Sequence, residues 1–454
     1  MTKPPFTLKI ETSWPPGRCE EVVCREVLRA LGKTRMVYEA TWAGRRIVLK
    51  VFSKFGKARR HAMREWRGFE QLQARQINSP EPLFCGRSPE GWVVATAWLD
   101  DAVPAAELWK TADTMEKKVQ ILGLIARELG HHHDRGVIQT DMHLGNFMIR
   151  GSEVVALDPA MVRFVDGAVG RRQSLRQIAR LTAILPESAA PAIELVFHEY
   201  AEARSWTPVS RDVERLRKHQ RRSRRLSVER GLRKFLRANR RHREIRFGPW
   251  RGMADRKFAK AAGLDDITTR LNEVMTQGRI LKDGKTSFVS HVTLGGVEVV
   301  IKRYNHKGLL HTIRHTIKGS RARRSWLNAN RLLLLGIPTP RPLAYVDQYR
   351  GPLLHCSYFI AEFVQGKGFY AVLRDRDASQ NRKQRLVDEV IHTMDRMASH
   401  SISHGDLKHT NILCQDDAIV LIDLDGMRVG GLAWLRQFRH KRDLARFLRD
   451  VPGR

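Results

Sequence analysis

The chain sets short β-branched runs between longer stretches of helical apolar spacing, and it does so twice. Arg46-Ile47-Val48-Leu49-Lys50-Val51-Phe52 and Glu298-Val299-Val300-Ile301-Lys302 read as strands, each preceded by a turn signal, Leu31-Gly32-Lys33-Thr34 and Asp283-Gly284-Lys285-Thr286. Gly32 and Gly284 are 252 positions apart, as are Lys50 and Lys302. Helices carrying Glu65-Trp66 and Ser325-Trp326 follow. Each leads to a proline-rich strand entry, Pro80-Glu81-Pro82-Leu83 and Pro338-Thr339-Pro340-Arg341-Pro342-Leu343, now at an offset of 260. The second copy has therefore gained eight residues, in the basic stretch from Asn305 to Arg321. Val93-Val94-Ala95 and Phe359-Ile360-Ala361 read as matching strands into a hinge. Helices are predicted over 116–135 and 382–400, and Arg176-Gln177-Ile178-Ala179-Arg180 and Arg442-Asp443-Leu444-Ala445-Arg446 close each copy with a further helix.

Polar residues repeat with this pattern. In the second copy, His404-Gly405-Asp406-Leu407-Lys408-His409-Thr410-Asn411 precedes a β-branched run (Ile419, Val420, Ile422) that ends at Asp423. In the first, Ile138-Gln139-Thr140-Asp141 through Asn146 precedes Val154-Val155-Ala156-Leu157-Asp158. Asp141, Asn146 and Asp158 match Asp406, Asn411 and Asp423 at one offset of 265. An Asp-Asn turn before a core strand is common on any surface. Its exact recurrence points instead to a site. An Asp that accepts a hydroxyl proton, with an Asn and an Asp that hold Mg²⁺, is what phosphoryl transfer uses.

On that reading Gly32 and Gly284 lie over a nucleotide, Lys50 and Lys302 face its phosphates, and Asp141 and Asp406 are the bases. Asn146, Asp158, Asn411 and Asp423 are the metal ligands. Glu65 is placed to hold Lys50. The aligned Ser325 offers Lys302 no charge, which leaves Glu362 as a distant candidate, or ATP alone, to position it. Gly-Lys-Thr is not a Walker A loop: Val27 and Arg279 stand where its first glycine belongs, and strands follow rather than a helix. The glycine loop is also poorer than the G-x-G-x-x-G of protein kinases.

Charge changes the picture of the partners. The net charge is +33, and sixteen Lys/Arg against four Asp/Glu fall between Arg211 and Arg246. Such a chain seeks polyanions. Within this stretch Val228, Leu232, Phe235 and Leu236 form one helical stripe, so a docked helix with an anion-binding outer face is expected. Zinc spacing, RNP-like strands and an aromatic stacking series are missing, which disfavours nucleic acid. Five cysteines without a C-x-x-C pair suit reduced thiols rather than a disulfide or zinc framework. His131-His132-His133 reads as packing or solvent-facing, since adjacent helical residues diverge. The amino-terminal residues lack a signal-like apolar run, and no stretch of about 18 apolar residues occurs.

The segment from His404 to Asn411, with Leu421-Ile422-Asp423 and Pro338-Thr339-Pro340-Arg341-Pro342, resembles the bacterial lipopolysaccharide core kinases, the Kdo and heptose kinases. The resemblance covers most of 275–450 and extends more loosely over 25–185, where Gln139-Thr140 replaces His404-Gly405. It implies ATP and Mg²⁺ as cofactors and a lipid A-linked inner-core sugar as acceptor. It also implies work at the cytoplasmic face of the inner membrane, on an anionic surface. The expected fold is α+β: two tandem protein-kinase-like bilobal domains, 1–205 and 263–454, joined by a basic helical linker, 206–262. A kinase for a protein or small molecule, a pseudokinase scaffold on an anionic partner, and a nucleic-acid binder are the alternatives.

Overall fold

A computed structural model describes residues 4–31, 34–53, 56–185, 189–305, 316 and 319–449. Gly32, and all of the basic stretch between Asn305 and Gly319 except Thr316, lie outside the described residues. The chain divides into two compact units, Met1–Arg224 and Arg225–Arg454.

In the first unit six antiparallel strands close into a barrel, because Phe6–Trp14 pairs with both Pro16–Leu31 and Pro82–Ser88. Alternation along each strand sends Ile10, Val22, Ile47, Leu49 and Phe84 inward as its core. The helix Ala58–Ala74 lays Ala62, Trp66 and Phe69 on the outer side of Phe52 and Val94. Beyond the barrel, helices Met115–Asp134 and Ala190–Ala203 pack through Leu122, Ile125, Ile193 and Phe197. Thr114 caps the first of these by accepting from the Lys117 N–H. His132 and His133 are buried, with the His133 ring 2.7 Å from the Tyr200 hydroxyl, while His131 faces solvent.

The second unit is built on a seven-stranded sheet. Its order is His242–Phe247, Trp250–Asp255, Pro342–Arg350, Leu353–Glu362, Val297–Tyr304, Ser287–Leu294 and Arg279–Gly284. The helix Arg321–Leu334 buries Trp326 completely, and helices Gln380–Ser399 and Ala433–Leu448 carry the other half of the unit.

The basic stretch corrects one expectation. Residues 206–262 are not one helical linker. The helix Ser210–Lys234 ends before Asn239, whose carboxamide oxygen accepts from the Arg241 and His242 N–H groups at 2.8 and 2.9 Å and turns the chain. The next two strands extend the second sheet, and Asp255 then caps a short helix. Dense arginine hid the strand, whose burial does not alternate: His242 and Ile245 are buried while Glu244 and Arg246 are exposed. The predicted stripe does dock. Val228 and Leu232 enter the second unit's core, and Phe235 packs beside Trp326.

Candidate active site

Each unit brings its repeated polar residues to one place. Lys50 stands on Arg45–Phe52, flanked in register by Val37 and Val94. Lys302 stands on Val297–Tyr304, flanked by Val289 and Phe359. This register matches Val94 with Phe359, so aligning Val93-Val94-Ala95 with Phe359-Ile360-Ala361 is one residue out. Downstream wiring repeats as well. The Asn146 carboxamide donates to the Asp141 carbonyl and that of Asn411 to the Asp406 carbonyl, each at 2.8 Å. The Leu157 N–H donates to Asn146 at 2.9 Å, and the Ile422 N–H to Asn411 at 3.0 Å. These bonds fold the loop so that Asp, Asn and the strand-ending Asp converge.

In the second unit Asn411 and Asp423 edge a cleft of about 470 Å³, with Asp406 bonded to Asn411. Val289, Val300, Phe359 and Leu413 give it apolar walls, while Lys302, Asn411 and Asp423 stand among its lining. That division suits a flat base in the apolar part and phosphates against the polar group. The hairpin contributes Leu281 and Lys282 to the lining, whereas Gly284 closes its turn.

Lys302 is paired with Asp423 and lies 3.6 Å from Asp425. Asp425 in turn accepts from Arg321, at the start of the helix, at 2.7 Å. Lys302 and Arg321 both lie over the Tyr304 ring, at 4.9 and 4.6 Å. Burial alone would lower the Lys302 ammonium, but Tyr304, Asp423 and Asp425 outweigh it and hold it above the ordinary lysine range. Burial would raise the Asp423 carboxyl, and its bonds to Asp425 and Lys302 hold it well below the usual carboxylate range. Asp423 is also left-handed, at φ 63°. Such a conformation in a residue other than glycine persists only where surroundings impose it. Glu362 is not the lysine's partner: Arg341 donates to it at 2.8 Å. Ser325, at the aligned position, bonds the Tyr304 hydroxyl at 2.8 Å.

Asp406 accepts from Arg446 at 2.6 Å and from the Asn411 amide at 3.3 Å, with Lys408 at 3.5 Å. His404, buried behind it, is kept neutral because burial lowers its pKa, and its Nε2–H donates to the Ile422 carbonyl at 3.1 Å. The Gly405 N–H donates to the buried Asp443 at 3.0 Å.

In the first unit Lys50 pairs with Glu65, which is fully buried, and Lys50 also reaches the Leu157 carbonyl at 3.5 Å. The Asp141 carboxylate lies 3.5 Å from the His143 ring. One carboxylate oxygen of Asp158 is buried without a hydrogen-bond partner.

The donor sets fit a hard cation. Asn411 spends its amide nitrogen on Asp406 and keeps its oxygen for a ligand, while Asp158 offers an unsatisfied oxygen. Among the described residues no three His, Cys, Asp or Glu gather as a self-sufficient metal site. Magnesium fits that arrangement, since it takes one or two protein oxygens and completes its shell with phosphate and water.

Asp425, Arg321 and Arg446 are site residues that motif matching missed. Asp425 had a visible signal, as the second acid of Asp423-Leu424-Asp425. Arg321 had none, because its role depends on a helix start three-dimensionally opposite Asp425.

Among curated proteins none matches the chain. Of solved structures, a cysteine variant of the Mycobacterium tuberculosis PknI kinase domain is similar at 15% identity and a TM-score of 0.29, covering 44% of this chain and 95% of that one. That likeness is too weak to carry the fold. Over residues 274–452, wholly within the second unit, the chain matches the model of the lipopolysaccharide kinase (Kdo/WaaP) family.

Proposed function

We propose that the second unit is an ATP-dependent kinase for a sugar hydroxyl, of heptose or Kdo, in the lipopolysaccharide inner core. We also propose that the two units are tandem kinase-like bilobal domains, and that the protein works on the cytoplasmic face of the inner membrane. One observation carries the reading. Lys302, Asn411 and Asp423 line one cleft, and Asp406 is bonded to Asn411 beside it, inside the stretch that matches the family.

Each residue of the set takes one role. The cleft's apolar walls take the base of ATP. Lys302, kept charged by its two carboxylates, faces the phosphates. Asn411 and Asp423 would hold Mg²⁺ through their oxygens, and the bound ion would neutralise charge on the phosphates. The acceptor hydroxyl attacks the γ-phosphorus, its proton passes to the Asp406 carboxylate, and ADP leaves. Arg446 fixes Asp406 until the acceptor arrives. The first unit offers Lys50, Glu65, Asp141, Asn146 and Asp158 for the same chemistry on an acceptor of its own. The positive surface suits an acceptor held in an anionic leaflet, and among the described residues no helix is long and apolar enough to cross a membrane.

The test is transfer from labelled ATP to inner-core lipopolysaccharide by the purified full chain. Labelled core is expected, and Asp406→Asn should abolish the second unit's share. No transfer to this acceptor, with transfer to a protein or aminoglycoside instead, would overturn the acceptor assignment.

A further inference from the structure

The helix Ala433–Leu448 lies along the catalytic loop, and one of its faces is unexplained by folding. Trp434 and Phe438 are 67% and 60% exposed, and Leu432, just before the helix, is 66% exposed. In the same unit Trp326 is wholly buried. Four residues separate Trp434 from Phe438, so the rings share a face. Lys441 and Arg442 are exposed on the following turns of that face. The acid of this helix, Asp443, is buried and committed to Gly405.

An apolar tip with a cationic shoulder is how a helix sits at a lipid interface, rings among acyl chains and cations at phosphates. We propose that this face docks the second unit on an anionic phospholipid leaflet. Charge complementarity selects that occupant, since the shoulder and the chain's net charge of +33 both favour anionic headgroups. The purpose assigned here, delivery of a lipid-linked acceptor, rests on the kinase reading above; the docking itself does not.

Position gives the docking a use. The same helix reaches Asp406 through Arg446 at 2.6 Å and the Gly405 carbonyl through Arg442 at 3.4 Å. Twelve residues of helix separate Trp434 from Arg446, roughly 18 Å at the helical rise. A sugar a few residues out from a lipid anchor therefore meets the base while the anchor stays in the leaflet. The equivalent helix of the first unit, Arg171–Leu181, lacks the feature, with Arg172 and Arg176 where Phe438 and Arg442 stand. The first unit has no such device at this helix.

The experiment is co-sedimentation of the full chain with phosphatidylglycerol–phosphatidylethanolamine vesicles and with pure phosphatidylcholine vesicles, for the natural protein and a Trp434→Ala/Phe438→Ala variant. The natural protein should prefer the anionic vesicles, and the variant should bind them about tenfold more weakly or worse with an unchanged thermal melt. Its turnover should fall on vesicle-embedded acceptor and hold on a delipidated one. Unchanged vesicle binding by the variant overturns the proposal. So does a natural protein that dimerises in solution and a variant that is monomeric, because the face then belongs to a second copy. If neither protein transfers phosphate to either acceptor, the kinase reading fails while the vesicle comparison still decides the docking.

Discussion

Lys50 and Lys302 stand at matching registers, yet the carboxylates they meet come from different elements. Lys50 is held by Glu65 on the neighbouring helix. Lys302 is held by Asp423 and Asp425 from the loop after the last site strand, and the helix supplies a cation, Arg321, on the far side of Asp425. Ser325, at the position of Glu65, has turned to Tyr304. The lesson concerns what a site conserves. A charged lysine at the end of a cleft needs negative neighbours, and either a helix or a loop can provide them. The two wirings differ in what happens when a partner is lost. Glu65 is fully buried with Lys50 as its near counter-charge; Asp423 and Asp425 are partly exposed, and Asp425 keeps Arg321.

The largest expected effect breaks the comparison at the base. Asp406→Asn preserves shape and removes the proton acceptor, so the second unit's turnover should fall by about 10²-fold or more. Asp141→Asn should remove a different part of the phosphorylation. Product analysis on both variants checks this. If Asp141→Asn changes nothing while Asp406→Asn abolishes every product, the first unit is a pseudokinase and the tandem-enzyme reading is lost.

Stability should divide the two lysines next. Lys50→Met leaves Glu65 buried and short of a counter-charge, with Arg35 still 4.0 Å away, and should cost the first unit about 3–5 kcal/mol. Lys302→Met should cost the second unit clearly less. Hydrogen exchange resolved to helices Ala58–Ala74 and Arg321–Leu334 reads the two effects separately. Equal losses would mean that the loop wiring is as brittle as the helix wiring.

Much of this was legible in the sequence, and the part that was not has a common cause. Strands, helices and the recurrence of Lys, Asp, Asn and Asp at fixed offsets follow from periods of two and 3.6 and from local turns, which composition reveals directly. The partner of Lys302 does not, because Asp423 is 121 residues away and reaches it only through a left-handed backbone that no propensity predicts. The strand His242–Phe247 failed to show because its buried positions do not alternate and its dense arginines made the whole stretch look like one basic helix. In both places a long-range contact chose between locally acceptable readings.

Two buried groups, His133 in the first unit and Asp347 in the second, should also answer pH in opposite senses. Burial pushes His133 down to about 3 from an ordinary 6.5, with His132 and Arg204 adding to it. A folded value below the unfolded one gives stability that is present above 6.5 and lost as pH falls through about 3. Burial pushes Asp347 up to about 7 from an ordinary 3.8, against Ser320 and Arg323. Its contribution is present below 3.8 and lost as pH rises through about 7. Asp347→Asn fixes the neutral form. The variant should match the natural protein in acid and exceed it above neutrality, by at most about 4 kcal/mol at about 1.4 kcal/mol per tenfold change in proton affinity. Denaturant titrations of the pair across pH test it, and a constant difference would show that Asp347 stays charged.

The smallest effect sharpens the comparison at the loop itself. Gly405 has φ +86°, and a Cβ there would lie 2.4 Å from the Gly426 carbonyl oxygen. Its first-unit counterpart, Thr140, needs no glycine: its N–H and hydroxyl both donate to the Met161 carbonyl, at 2.8 and 2.6 Å. The behind-loop pair differs in step, His404 with Asp443 in one unit and Gln139 with Gln177 in the other, all four buried. Gly405→Ala should therefore cost the second unit about 1–3 kcal/mol, the range for a strained backbone position, and displace Asp406 from Arg446. Thr140→Gly should cost the first unit less, through a lost hydroxyl bond of about 1 kcal/mol and added chain entropy. Turnover makes the distinction sharper than melting does. Gly405→Ala should lower kcat with KM for ATP little changed, because Lys302 and the apolar walls are untouched. A rise in KM for ATP with kcat preserved would mean that the left-handed turn at Gly405 serves the nucleotide rather than the base.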